Sequence, residues 1–373
     1  MNERNFCGVF LRMMRLERGW SQEELCHGIC AVSYLSKIEQ GKVVANQDLQ
    51  KRLFEKLDVS WQSVPGEEGR RLCNALYELV FADDTEGIEE SKEYGLLRQE
   101  GFGLGTYYLD YLVLRAYCCH DKSLIHDDLI DLLDSRQKCL YLLLNQQPEA
   151  ALQVYPCALA AMQAGIQAYQ TKHYGLALEY LQQANDIASV KGYARIMMIS
   201  RTNMAYCYAK FRDFQNMTIH SAAARRLAAA IGAESWVKTI EYNLASVAVE
   251  LGNYEKGYEY FSKLNNLSVL DAHKYAICCE KLERRVEALA VLKKPMEQAS
   301  GLERKMCEIV WFRLKNKEYI QHSEYGELLM ATFSEMQKSL PESYIRFHLP
   351  WVEEWCVANR QYKTIYELYR ILK

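Results

Sequence analysis

WSQEELCHGICAVSYLSKIEQG, residues 20–41, decides how the N-terminal part of this chain folds. Ser21 stands at an N-cap position with Glu24 three residues on, the capping-box spacing that starts a helix. Leu25 and Ile29 then share one helical face. The pattern breaks around 30–32. A second helix is predicted over 33–40, with Leu35 and Ile38 inward and Gly41 as its left-handed stop. Two short helices, a tight turn and a shared apolar face make a helix-turn-helix, whose second helix can enter the DNA major groove.

The rest of the chain favours helices as well. Half of its 373 residues are hydrophobic, Pro is rare at 6, and Tyr is abundant at 26. No apolar run approaches a membrane span, and MNERNFCGVF lacks the basic-then-apolar form of a signal peptide, so a cytoplasmic location and no membrane partner are expected. The 13 cysteines include no CxxC pair. Cys118, Cys119 and His120 offer metal-binding atoms, but neighbours on a helix point about 100° apart and make poor co-ligands. Small buried thiols in a reducing compartment, with no metal and no cofactor, is the reading. The net charge of −3 argues against a nucleic-acid coat, whereas residues 1–57 carry nine Lys and Arg against seven Asp and Glu, or +2. Phosphate affinity needs several cationic contacts, so one weakly basic domain binds poorly. A homodimer doubles the contacts and reads two half-sites.

From about 155 the sequence repeats. YQTKHYGLALEYL, AKFRDFQNMTIHS and ELGNYEKGYEYF overlay with an aromatic opening the second helix (Tyr174, Phe214, Tyr254) and a slim residue three later (Ala177, Met217, Gly257). Nine residues before each aromatic stands Gly165, Ala205 or Ala245, a spacing of forty residues both times. Ala288, Tyr319 and Tyr362 continue the pattern with drift. Between the two regions, helices are predicted near 67–82, 88–99, 106–119 and 124–145. GFGLGTYY at 101–108 lacks the strand a phosphate loop requires and is an interhelical loop. PGEEG at 65–69 is the best boundary, a hinge between domains at 1–64 and 70–373.

Arg12, Arg15, Gln22, Glu23, Leu25, Ser33, Ser36, Ile38, Glu39 and Gly41 resemble the signature of the XRE class of phage-repressor-like regulators, most specifically in SYLSKIEQG. The resemblance implies an all-α chain with a five-helix, lambda-repressor-like DNA-binding domain over about 5–64. It implies that Gln22 caps its helix against a phosphate, that Val32, Ser33 and Lys37 face base edges, and that Arg15 pairs with Glu39. Tyr34, Gln40 and Lys42 join the DNA-binding surface, and Gly41 is structural. The turn between Leu25 and Leu35 is one residue shorter than in typical members, and Cys30 stands where glycine is usual.

The repeats resemble the tetratricopeptide repeat, which stacks into a right-handed α-solenoid with a concave inner face. The residues two before the slim position, Gln163, Asn203 and Asn243, would point inward there. Carboxamides match the C=O and N–H of an extended peptide whatever its side chains. Tyr206 and Tyr242 would form pockets, and Arg201, Lys210 and Lys238 would meet a carboxylate. The other reading is that these amides bond to neighbouring backbone or water.

A helix-turn-helix domain followed by such an array is similar to the Rgg- and PlcR-like group of peptide-sensing regulators. That similarity implies a dimeric transcription regulator binding double-stranded operator DNA, with a short peptide as its ligand. The competing reading is a repeat scaffold that sequesters a protein partner, with weak DNA binding. An enzyme is not expected: the histidines are scattered and no Ser-His-Asp or Cys-His set can share a cleft.

Overall fold

The computed structural model describes residues 6–59, 66–84, 88, 91–97, 107–340 and 342–371, and every regular element among them is helical. The chain divides into two units at residue 234. Among the described residues no helix is long and apolar enough to cross a membrane.

The first unit opens with α1 (Phe6–Glu17), α2 (Gln22–Cys26), α3 (Val32–Glu39) and α4 (Gln47–Lys56). Local chemistry starts two of them. Ser21 and Glu24 form the expected capping box on α2, and Asn46 caps α4 by accepting from the Leu49 amide. Phe10, Leu11, Leu25, Leu35, Ile38, Leu53, Phe54 and Leu57 are all buried to within 2% and draw the four helices together. Each contributes roughly 1.5–3 kcal/mol of burial free energy. The remainder of the expected five-helix domain, residues 60–64, lies outside the described residues.

Next come α5 (Gly66–Phe81), α6 (Lys92–Leu97) and α7 (Tyr108–Cys118). Most of the segment expected as a hinge, 65–69, is helical. Gly66 to Gly69 form the first turn of α5, while Pro65 lies outside the described residues, as do 101–106 of the glycine loop. A Cβ on Gly69 would stand 2.2 Å from the Tyr107 ring, so this turn is closely packed. Nor do the compact units divide there. The Phe10 ring of α1 packs at a tilt against Tyr108 of α7 with ring centroids 4.6 Å apart, which ties the N-terminal helices to those that follow.

The single helix expected over 124–145 is broken. A short 3₁₀ turn (Lys122–Leu124), α8 (Asp127–Ile130) and α9 (Ser135–Leu144) replace it. Asp134 takes an extended backbone and makes a reciprocal capping box with Gln137, which starts α9. Arg136 of α9 then lies 3.7 Å over the Tyr77 ring and donates to Asn74, docking α5. α10 (Pro148–Val154) follows.

Hairpins begin at α11 (Ala158–Gln170) and α12 (Tyr174–Lys191), then α13 (Ala194–Lys210) and α14 (Phe214–Ala230). In the second unit run α15 (Glu234–Glu250), α16 (Tyr254–Phe261), α17 (Val269–Lys281), α18 (Arg285–Gln298), α19 (Gly301–Lys315), α20 (Ser323–Ser339), α21 (Glu342–Ala358) and α22 (Tyr362–Ile371). One backbone turn recurs throughout. Lys172, Arg212, Gly252, Glu283 and Arg360 each sit left-handed, two residues before the next helix starts. In each case the following N–H donates to a carbonyl five residues back, as His173 does to Ala168 and Asp213 to Tyr208. The aromatic residues Tyr174, Phe214, Tyr254 and Tyr362 begin helices at these turns, as expected.

Tyr319 does not. Asn316 leaves α19 with an extended backbone instead of a left-handed one, and Tyr319 falls in a 3₁₀ turn ahead of α20. Its ring packs on Tyr325 at 5.0 Å instead of opening a helix. Elsewhere the register holds through contact. A Cβ on Gly165 would meet Leu181 at 2.6 Å, and one on Gly257 would meet Val249 at 2.5 Å and Cys278 at 2.7 Å.

The second unit buries an unusual polar group in its core. His273 and His348 are each 1% exposed and stack with ring centroids 5.3 Å apart. His348 Nδ1 lies 2.8 Å from the Tyr344 carbonyl, so Nδ1 carries the proton and Nε2 accepts from His273 Nε2 at 3.5 Å. Burial, together with the nearby Lys274 and Arg313 charges, holds both imidazoles neutral. His273 drops well below 6.5 and His348 to about 4. The unfolded chain therefore binds these protons more readily than the folded one. The stability they protect is complete above pH 6.5 and is lost as pH falls toward 4, by up to about 3 kcal/mol for His348. Urea midpoints measured across that window should fall with pH, and His348→Gln should flatten part of the slope.

Candidate nucleic-acid interface

An α-helix can reach into a groove only if its own fold holds it by the opposite side. α3 is held that way. Leu35, Ile38 and Glu39 are buried, while Val32, Ser33, Tyr34, Lys37 and Gln40 face solvent, with Lys42 exposed just beyond the helix. Val32 and Tyr34 leave 42% and 37% of their surface in water, an arrangement a core-facing helix would not keep. Ala31 stands at the N-cap and supplies no side-chain cap, while its carbonyl accepts from the Tyr34 amide at 2.9 Å.

The inward anchor is a charge pair. Arg15 Nε and Nη2 donate to the two carboxylate oxygens of Glu39 at 2.7 and 2.9 Å, a bidentate bridge from α1 to α3. The expected Arg15–Glu39 pairing is thus present, with the residues 7% and 3% exposed. Arg15 Nη1 also donates to the Trp20 carbonyl at 2.7 Å. The hydrogen bond to Glu39, ahead of other effects, raises the Arg15 pKa. The amide nitrogen of Gln22, the residue expected on a phosphate, donates to Glu39 at 2.7 Å and draws α2 into the same network. Arg12, Arg15, Leu16, Gln22, Glu39 and Gln40 line a cleft of about 310 Å³ beside it.

Several positioning residues are not legible in the helix-turn-helix string. Gly28, not Cys30, takes the left-handed backbone of the turn at φ 77°, and this is how a shortened turn closes. Arg52 and Lys56 of α4 donate to the carbonyls of Gly28 and His27, satisfying the end of α2. On α1, Gly8 lets the α3 backbone approach: a Cβ there would stand 1.8 Å from the Ile38 carbonyl oxygen. Gly41 is left-handed as expected, and the Lys42 amide folds back onto the Lys37 carbonyl at 2.9 Å.

The residues expected to line a peptide groove fall in both units. In the first, Gln163 on α11 donates to the Tyr117 hydroxyl at 3.3 Å, and Asn203 on α13 donates to the Ile199 carbonyl of its own helix at 2.9 Å. Tyr206 packs its ring on Tyr169, Arg201 is half-buried near His220, and Lys210 is exposed. In the second, Asn243 and Tyr242 on α15 are half-buried and Lys238 is exposed. Tyr242 lies against Phe261, with the Lys274 ammonium 5.3 Å from its ring, and burial raises its pKa. Cys118 is half-buried, while Cys119 and His120 are exposed. Among the described residues no three His, Cys, Asp or Glu side chains are grouped to hold a metal.

The helix-turn-helix family profile matches residues 11–64, the segment that holds α2, α3, α4 and the Arg15–Glu39 bridge; this segment is a helix-turn-helix domain. No curated protein matches the chain in sequence. Among solved structures the chain is similar to Bacillus thuringiensis PlcR in complex with the peptide PapR7 and DNA. The identity is 14%, covering 79% of this chain and 100% of that one, with a TM-score of 0.31. It is also similar to a point mutant of PrgX at 12% identity, covering 93% and 99%, with a TM-score of 0.16.

Truncating Arg15 strands a buried carboxylate. Arg15→Ala should cost about 3–5 kcal/mol, and Gly8→Ala about 1–3 kcal/mol or more from overpacking. Hydrogen exchange should register both as lost protection in α3 with α11–α14 unchanged. Wild-type protection of α3 in Arg15→Ala would mean that the bridge does not hold this helix.

Proposed function

We propose that this chain is a dimeric, sequence-specific DNA-binding transcription regulator of the cytoplasm whose tetratricopeptide-like repeats bind a short peptide. The observation that carries the DNA reading is the two-sided character of α3: Glu39 locked inward by Arg15 and Gln22, with Val32, Ser33, Tyr34 and Lys37 outward. Ser33 and Lys37 contact base edges, Val32 and Tyr34 give apolar contact to thymine methyls or sugar, and Gln40 and Lys42 meet phosphate. Dimerisation follows from charge. With a net +2 over residues 1–57, one domain has too few cations for tight binding, and two domains on two half-sites double them.

The peptide reading rests on the amides and on the exposed cations Lys210 and Lys238. Asn203 spends one N–H on its own helix, but a carboxamide keeps a second donor and its oxygen. Ligand binding biases DNA affinity only as far as it favours one of two conformations of the chain. The same low charge favours a second reading, a scaffold for a protein partner; strong salt-dependent binding to selected duplexes separates the two.

Duplexes enriched from random sequence by the wild-type chain supply the test. Lys37→Ala and Ser33→Ala should each weaken the preferred duplex by about 1–3 kcal/mol and relax its sequence preference. Lys42→Ala should instead weaken all duplexes alike and lower the salt slope by about 1 per lost phosphate contact. Unchanged preference in both α3 variants removes the recognition-helix assignment. For the repeats, Asn203→Ala should abolish thermal stabilisation by any binding peptide while leaving duplex affinity intact.

A further inference from the structure

Most buried cysteines here are inert by environment. Burial pushes Cys7, Cys73, Cys278, Cys279 and Cys307 up to about 12 and Cys207 to about 11, where a thiol stays protonated and unreactive. Cys139 and Cys157 differ in arrangement. Their Sγ atoms lie 3.9 Å apart across the gap between α9 and the start of α11, 18 residues apart in sequence, with the short helix α10 between them in the chain. Cys157 is the N-cap of α11, with no hydrogen bond between its side chain and the first amides of that helix. Either thiol can donate to the other across that distance, and the contact with Cys139 lowers the Cys157 pKa against the cost of burial.

We infer that Cys139 and Cys157 form a redox pair that a hydroperoxide oxidises to one intramolecular disulfide, clipping α9 to the first turn of α11. The order of events follows from access. Cys157 keeps 8% of its surface exposed and Cys139 none, so the oxidant meets Cys157 first. The Cys157 thiolate attacks the distal peroxide oxygen, the O–O bond breaks, and an alcohol or water leaves after protonation. The resulting sulfenic acid is attacked by Cys139 Sγ; the S–O bond breaks and the hydroxyl departs as water with the Cys139 thiol proton. Two thiols give two electrons, and the peroxide takes both. Closing 3.9 Å to a bond of about 2.05 Å requires little movement. Cys157 can supply it because its backbone is extended, φ −144° and ψ 161°, and only its carbonyl is tied to the helix, by the Ala161 amide. This pair stands apart from the DNA and peptide readings and does not depend on them.

Hydrogen peroxide applied to the full chain, followed by alkylation and non-reducing peptide mapping, tests it. Two of the 13 thiols should be lost, leaving 11, with one linked peptide pair joining Cys139 to Cys157 that dithiothreitol releases. Cys139→Ser should accumulate a dimedone-trapped sulfenic acid at Cys157, whereas Cys157→Ser should leave Cys139 a thiol under the same exposure. Oxidation confined to exposed Cys119, or Cys157 reacting no faster than buried Cys207 in the folded wild-type chain, overturns the assignment. The wild-type peptide map decides the matter even where a variant fails to fold.

Discussion

At Gly8, Gly165 and Gly257 there is no room for a methyl group, and the spacing of the neighbouring helices follows from that. Gly8 brings α1 onto the backbone of α3; Gly165 brings α11 onto α12 beside Ala177; Gly257 brings α16 against Val249 and Cys278. Close approach at such points puts many side-chain atoms in contact, and dispersion and burial grow with them. The same constraint thus operates in the DNA-binding domain and in the hairpins. In the first it sets the depth at which α3 sits. In the second it sets the register of each hairpin.

Polar groups then decide orientation within that packing. Glu39 is reached by Arg15 from α1 and by Gln22 from α2, so three helices share one buried carboxylate. Buried ion pairs add little net stability against an apolar alternative, and their better-attested value is a unique arrangement. Here the arrangement is the outward aim of Ser33 and Lys37. A comparable device lies in the second unit, where Arg313, 5% exposed, bonds Glu280 at 2.9 Å and stacks over Trp351 at 4.6 Å. Near it the neutral His273–His348 pair fixes α17 against α21.

Hairpins are built from a turn that is economical in sequence. Of five left-handed residues in the matched turns, only Gly252 is glycine; Lys172, Arg212, Glu283 and Arg360 adopt the same conformation with a side chain attached. The strain of each is offset by two capping hydrogen bonds to carbonyls that would otherwise be unsatisfied. That is why the aromatic one step past the cap marks the repeat in the sequence and the left-handed residue does not.

Local, short-range chemistry was determined by the sequence alone. Ser21 with Glu24, the inward Leu35 and Ile38, the stop at Gly41, and the forty-residue register of Tyr174, Phe214 and Tyr254 were all legible. Each depends on helix periodicity or on a partner within four residues. The Arg15–Glu39 bridge was legible only through resemblance to a known domain. What tertiary structure alone decided involves partners far apart in the chain or backbone states that residue type does not announce. The helix expected over 124–145 breaks after Ile130 and restarts at the Asp134 cap, Gly66 to Gly69 enter α5, and Gln22 reaches Glu39. Cys139 and Cys157 meet for the same reason: α10 folds back between them, and no spacing rule within either helix encodes that return.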